Sequence, residues 1–250
     1  METADYVDAL RREGPLLAGA AGAAGLDATV PSCPEWTVRE LVRHQGGVHR
    51  WALAIVSGPR TEPWEVELDE VVGSWPADPD LLEWFLEGHG ALVTALAQAE
   101  PDLACWTFLR APSSVAMWSR RQAHETTIHR VDAELARGGP VTAVGPPVAD
   151  DGVDELLRCF ITRPGRGLVA DPARVLGVGC LDTPGSWLVR IGPSGVETSL
   201  GTAPADCTVT GSAADLYRAL WHRQSANALT VDGDRGVLDH FLDRVHVRWS

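Results

Sequence analysis

The stretch Trp118-Ser-Arg-Arg-Gln-Ala-His-Glu-Thr-Thr-Ile-His-Arg-Val-Asp132 decides how the rest of the chain reads. As a helix turning about 100° per residue, it places Trp118, Arg121, Gln122, Glu125, His129 and Asp132 on one face. Glu125 and His129 stand four residues apart, one turn above the other. A solvated face seldom carries Trp, Glu and His together, and a buried face holds an unpaired carboxylate only at high cost. A metal ion shared by a Glu oxygen and a His nitrogen at i, i+4 resolves the conflict. A hydrogen-bonded Glu–His pair inside a bundle resolves it equally well, and this stretch alone does not choose between them.

Toward the N-terminus, Thr37-Val-Arg-Glu40 is a capping box that opens a helix running to about Ser57. On it Leu41, His44, Val48, Trp51 and Ile55 fall within about 60° of one another. His44 is the polar member at the centre of this apolar stripe, where a structural core histidine would also sit. His49 points about 140° away, near the flank. Further helices are predicted over residues 4–25 and about 79–99. Asp78-Pro79 supplies the N-cap and first-turn proline of the latter, and His89 falls at its core or flank. The stretch from Gly25 to Trp36 reads as irregular and 58–78 as a long loop. With the organising helix at about 115–137, the pattern predicts a four-helix bundle.

Gly138-Gly-Pro and Gly145-Pro-Pro break the helical pattern, so the boundary is placed at 138–147, with a bundle at 1–138 and a second domain at 148–250. The second half predicts a helix from Asp150 or Asp151 to about Ile161. Strands follow at Val175–Cys180, Trp187–Ile191, Val196–Leu200, Cys207–Thr210, Leu229–Val231 and Val245–Trp249. Helices open at Ser212 and Asp234. The predicted fold class is α+β in two domains: a helical bundle, then a small α+β domain.

Composition narrows the function. The 250 residues are 45% hydrophobic and 22% charged, as in an ordinary globular protein. The net charge of −13 argues against nucleic acid or an anionic membrane as partner. No apolar signal core opens the chain and no run approaches about 20 apolar residues, so a cytoplasmic protein is expected. All 21 basic residues are arginine, and ten tryptophans stand against two tyrosines. Cys33, Cys105, Cys159, Cys180 and Cys207 are odd in number and form no Cys-x-x-Cys, so neither a disulfide framework nor a thiolate zinc site is indicated.

The string His124-Glu-Thr-Thr-Ile-His129 has one residue too many for the zinc-protease motif, because its two histidines no longer share a face. No Gly-rich phosphate loop and no Gly-x-Ser-x-Gly elbow is present. Glu125 and His129 with His44 from a facing helix make three protein ligands and an open position, the arrangement of a catalytic zinc site.

Cys33-Pro-Glu-Trp-Thr-Val-Arg-Glu-Leu-Val-Arg-His44 and Trp118-x-x-Arg-x-x-His-Glu-x-x-x-His-Arg-x-Asp132 resemble the mycothiol-dependent maleylpyruvate isomerase family, one of the DinB-like metal-binding bundles. Ala205–Asp215 and Val231–Asp234 resemble its sterol-carrier-like second domain. The resemblance implies a divalent metal, usually zinc, on His44, Glu125 and His129, with mycothiol as co-substrate. Coordination converts a thiol of pKa about 8.5 into a thiolate. That thiolate adds to a small electrophile such as an unsaturated acid, quinone or epoxide, giving S-transfer or cis–trans isomerisation. A family arginine in the second domain maps onto Arg223, preceded here by His222 where the family more often has Gly. Arg121 is the candidate for an anionic part of thiol or substrate, and Asp132 for orienting a neighbouring imidazole. A zinc hydrolase using metal-bound water and a non-catalytic metal- or ligand-binding module remain the alternatives, and the oligomeric expectation is monomer or homodimer.

Overall fold

The computed structural model of the chain describes every residue except 59, 65, 164, 166 and 248–250. It divides into two compact units, Met1–Thr142 and Ala143–Ser250. The first contains the long helices α1 (Thr3–Ala24), α2 (Val38–Ser57), α4 (Leu81–Gln98) and α5 (Ser114–Arg137). Two short strands, β1 (Thr29–Val30) and β2 (Cys33–Thr37), precede α2, and a short helix α3 (Leu68–Val72) follows it.

Local chemistry sets the helix ends. In the Thr37 box the backbone N–H of Thr37 donates to Glu40 at 2.9 Å. Ser113 caps α5 by accepting from Ala116 N–H at 3.2 Å, and Gly138 closes it with φ +78°. The expected Asp78 cap of the next helix is not used: Asp78–Asp80 forms a 3-10 turn and α4 starts at Leu81. The Asp78 carboxylate instead takes both arms of Arg39, each at 2.9 Å.

In the bundle α1 packs on α5 and α2 on α4, with α1 also against α4 and α2 against α5. Leu17, Ala21, Val38, Leu41, Val42, Leu81 and Phe85 form one continuous core. Two side chains missing from helix faces bring the pairs close. A Cβ at Gly46 would lie 2.2 Å from the Trp84 ring, and one at Gly14 would lie 2.4 Å from His89. His49, expected at the flank, is 0% exposed. An angle measured from His44 does not say what lies opposite: α2 is covered by α5 on one side and α4 on another, so both directions are interior.

Two stretches expected to be irregular carry structure. β1 and β2 pair antiparallel, Thr29 with Thr37 and Val30 with Cys33. α3 lies within 58–78 and lays Leu68 3.1 Å from where a Cβ of Gly47 would stand. Each is too short to carry a period in sequence.

A buried ion network ties α1 to α5. Arg130 donates to Glu13 at 2.7 Å and to Glu134 at 2.8 Å, all three under 3% exposed. The network also fixes the end of the unit, since Arg130 donates to the Thr142 carbonyl and Glu134 accepts from the Thr142 N–H.

The second unit begins with α6 (Pro146–Asp154), which continues as a π-helical turn to Phe160. The expected start at Asp150 or Asp151 is therefore late by one turn. Gly145 is the N-cap and the prolines occupy the first turn, where a missing N–H costs nothing. Strands β3 (Arg174–Cys180), β4 (Ser186–Gly192), β5 (Gly195–Leu200), β6 (Cys207–Gly211) and β7 (Thr230–Gly233) form one sheet ordered β5-β4-β3-β6-β7. The β3–β6 pair is parallel and the others antiparallel. Helices α7 (Ala213–Leu220) and α8 (Arg235–Arg244) are capped by Ser212 and Asp234. Val245–Val247 forms no strand, and the rest of that expected strand lies outside the described residues. No helix among the described residues is long and apolar enough to cross a membrane.

Replacing Arg130 leaves the buried Glu134 without its cation and Glu13 with only the half-exposed Arg12, at 2.7 Å. Arg130→Met is expected to cost about 3–5 kcal/mol in urea unfolding. A loss below about 1 kcal/mol would show that the network is not holding α1 to α5.

Candidate metal centre

α5 presents Arg121, Glu125, His129 and Asp132 to the interior, and α2 presents His44 toward the same point. His44 Nε2 lies 3.4 Å and His129 Nε2 3.2 Å from the same Glu125 oxygen, Oε1. The other oxygen, Oε2, accepts from Arg121 Nη2 at 2.7 Å. His129 Nδ1 meets Asp132 Oδ2 at 2.9 Å, and Ser32 donates to Asp132 Oδ1. His44 is half-buried, Glu125 and His129 are 4% and 7% exposed, and Asp132 is fully buried.

Burial alone would raise the Glu125 pKa. The Arg121 guanidinium, with His129 and His44, outweighs it and holds the carboxyl well below its usual range. Burial pulls His44 below the usual imidazole value, and its Glu125 contact does not compensate. Burial also opposes charge on His129, but Asp132 and Glu125 win and take it up to about 9. Two readings of His129 follow. Donating from both ring nitrogens requires an imidazolium, whereas a cation at Nε2 would replace that proton and leave Nδ1–H on Asp132.

The donor geometry fits a cation. His44, Glu125 and His129 are the group of potential ligands found among the described residues, with one atom from each within 4.8 Å of the others. A tetrahedral zinc with bonds of about 2.0–2.1 Å sets its ligand atoms about 3.3 Å apart. The two separations to Glu125 Oε1 are 3.4 and 3.2 Å.

Sequence reasoning missed one wall of this site. Trp36 on β2 lies over both imidazoles, its ring centroid 4.9 Å from that of His44 and 6.3 Å from that of His129, and it is partly exposed. The available signal was its place in Cys33-Pro-Glu-Trp, three residues from Cys33. The short β1–β2 segment thus contributes both Trp36 and Ser32. None of the five cysteines is in a disulfide.

Arg121, expected to meet an anionic ligand, has Nη2 on Glu125 here. Arg223 belongs to the second unit, just beyond the end of α7, and donates to the Trp221 carbonyl at 2.7 Å. His222 before it has φ +63°, the left-handed region that favours glycine. His222 also has Nε2 2.7 Å from the Val245 carbonyl and its ring stacked on His246.

Fold and site together define a protein in which a bundle with a metal-competent His–Glu–His set precedes a five-stranded α+β unit. A family model described as "Mycothiol maleylpyruvate isomerase N-terminal domain" matches residues 7–134, and one described as "MDMPI C-terminal domain" matches 147–240. The chain belongs to the mycothiol maleylpyruvate isomerase family. A crystal structure of the mycothiol-dependent maleylpyruvate isomerase shares the fold with a TM-score of 0.62, at 14% identity over 93% of each chain. A histidine-to-alanine mutant of that enzyme gives 0.61 at the same identity and coverage. No protein of curated function matches the chain in sequence.

Alanine at His44, Glu125 or His129 is expected to abolish stoichiometric zinc measured by plasma emission on the purified protein. Asp132→Asn is expected to leave the stoichiometry and weaken affinity about 10–100-fold, because it removes the carboxylate charge that holds the proton on His129 Nδ1. Full zinc occupancy in the His44→Ala protein would remove this ligand assignment.

Proposed function

We propose that the protein is a metal- and mycothiol-dependent enzyme that adds a thiolate to a small electrophile, as an S-transferase or as a cis–trans isomerase of the maleylpyruvate isomerase kind. The observation that carries this reading is the convergence of two imidazole nitrogens from different helices on one buried carboxylate oxygen. Family membership supports the thiol, and zinc is the metal that two nitrogens and one oxygen with an open position suit best.

When bound, the cation supplies a Lewis acid that favours the thiolate over the thiol at neutral pH. His44 Nε2, Glu125 Oε1 and His129 Nε2 hold it. Asp132, anchored by Ser32, keeps the His129 proton on Nδ1 and aims the Nε2 lone pair inward. Arg121 neutralises Glu125 through Oε2, so that a buried carboxylate stays ionised with its other oxygen available. The partly exposed Trp36 covers the two imidazoles and limits water on that side. Arg223 is the second unit's candidate for an anionic group of the substrate. The family's reducing thiol chemistry is consistent with a cytoplasmic protein.

The test incubates metal-free and zinc-loaded protein with mycothiol and a panel of unsaturated acids, quinones and epoxides, followed by mass spectrometry. Conjugate or isomer should form only with both metal and thiol present. Full-rate turnover without thiol would make the protein a zinc hydrolase, and binding without turnover would leave a ligand-binding module.

A further inference from the structure

Three further histidines of the bundle, His49, His89 and His124, lie outside the triad, and the first two face each other. His49 on α2 and His89 on α4 are 0% and 4% exposed, their ring centroids 5.2 Å apart, with Phe85 against both. Burial holds both neutral: it brings His89 down to about 4 and takes His49 well below its usual value. A neutral imidazole carries one proton, and its neighbours decide on which nitrogen.

His49 Nε2 lies 2.8 Å from the Gln45 amide nitrogen and 2.9 Å from the Thr126 hydroxyl. An amide nitrogen only donates, so Nε2 accepts and the proton of His49 sits on Nδ1. His89 hydrogen-bonds the Arg11 backbone, and its Nδ1 has no partner among the described residues. Its proton is therefore on Nε2, donated to the Arg11 carbonyl, and Nδ1 keeps a lone pair. The unused nitrogens of the two rings are thus a donor and an acceptor. Arg11 is on α1, so hydrogen bonds join α5 to α2 and α4 to α1, while the two rings meet in ring contact with no hydrogen bond between them.

The α2–α5 bonds in this chain sit immediately beside the triad. Gln45 follows His44 and Thr126 follows Glu125. The Gln45 amide donates across to Thr126 at 3.2 Å, and the same hydroxyl meets His49. The triad's own cross-helix contact, His44 to Glu125, is 3.4 Å long. Apolar side chains of the same shape would fill this volume at little or no cost in stability. A buried polar chain does what they cannot, because hydrogen bonds fix the separation and axial register of two helices to a few tenths of an ångström.

We propose that Gln45, His49 and Thr126 are positioning residues that set the α2–α5 register, and thereby hold His44 where it shares a cation with Glu125 and His129. This inference rests on the metal reading above. His89, with its ring seated against Gly14, backs His49 from the far side.

The experiment uses the full-length protein, stripped with a chelator and titrated with Co²⁺ under competition while its visible absorption is recorded. Thr126→Val should raise the Co²⁺ dissociation constant about 10-fold or more and shift the ligand-field bands. Thr126→Ser, which restores the hydroxyl, should return both close to the parent. Leu17→Ala, a core truncation on α1, should lower the unfolding temperature without moving the bands. Should Thr126→Val fail to fold, Gln45→Leu is read by the same criteria. Parent-like affinity and spectrum in the apolar variant, or no recovery in Thr126→Ser, would overturn the proposal. A parent that binds no Co²⁺ would instead overturn the metal reading and this inference with it.

Discussion

One oxygen atom, Glu125 Oε1, is the point on which the first unit is organised. Two imidazoles reach it from α2 and α5, at 3.4 and 3.2 Å. Burying an ionised carboxylate is costly, and this one is held by Arg121 on its other oxygen. The next links out are Asp132 on His129 and Ser32 on Asp132, so the chain of polar contacts runs from the site to the β1–β2 segment. Such a chain orders the site only if its helices are already fixed, and the packing supplies that. Gly14 and Gly46 admit His89 and Trp84 at distances no side chain would allow, and Arg130 clamps α1 to α5.

The same arrangement divides labour among like residues. Four of the bundle's five histidines, His44, His49, His89 and His129, differ in what they face. His129 lies between two carboxylates and is driven toward the charged form, whereas His49 and His89 lie among an amide, a hydroxyl and aromatic rings and stay neutral. His44 is between the two, half-buried with a single carboxylate contact. Position relative to the carboxylates therefore separates candidate ligands from buttress, and residue type does not.

Much of this was legible in sequence. The face of α5 was readable because 3.6-residue periodicity over 24 residues leaves little freedom, and the α2 start because its capping box is a local chemical signature. His49 was misplaced because helical angles give directions without neighbours, and α2 is covered on two sides. Trp36 and Ser32 were illegible as site residues since strands of two and five residues carry no usable period, and their role depends on tertiary contact alone. In the second unit, Pro146 and Pro147 read as breakers when they are in fact the first turn of α6. Proline stops a helix behind it and starts one ahead of it, and only the flanking pattern tells which.

A single cation bridging α2 and α5 at Glu125 would tie these contacts together. Anomalous diffraction at the zinc edge from crystals of the zinc-loaded protein tests it most directly. One strong peak is expected about 2.0–2.2 Å from His44 Nε2, Glu125 Oε1 and His129 Nε2, with a position left open. A triad with no anomalous density, its carboxylate bonded to two imidazoles alone, would contradict it.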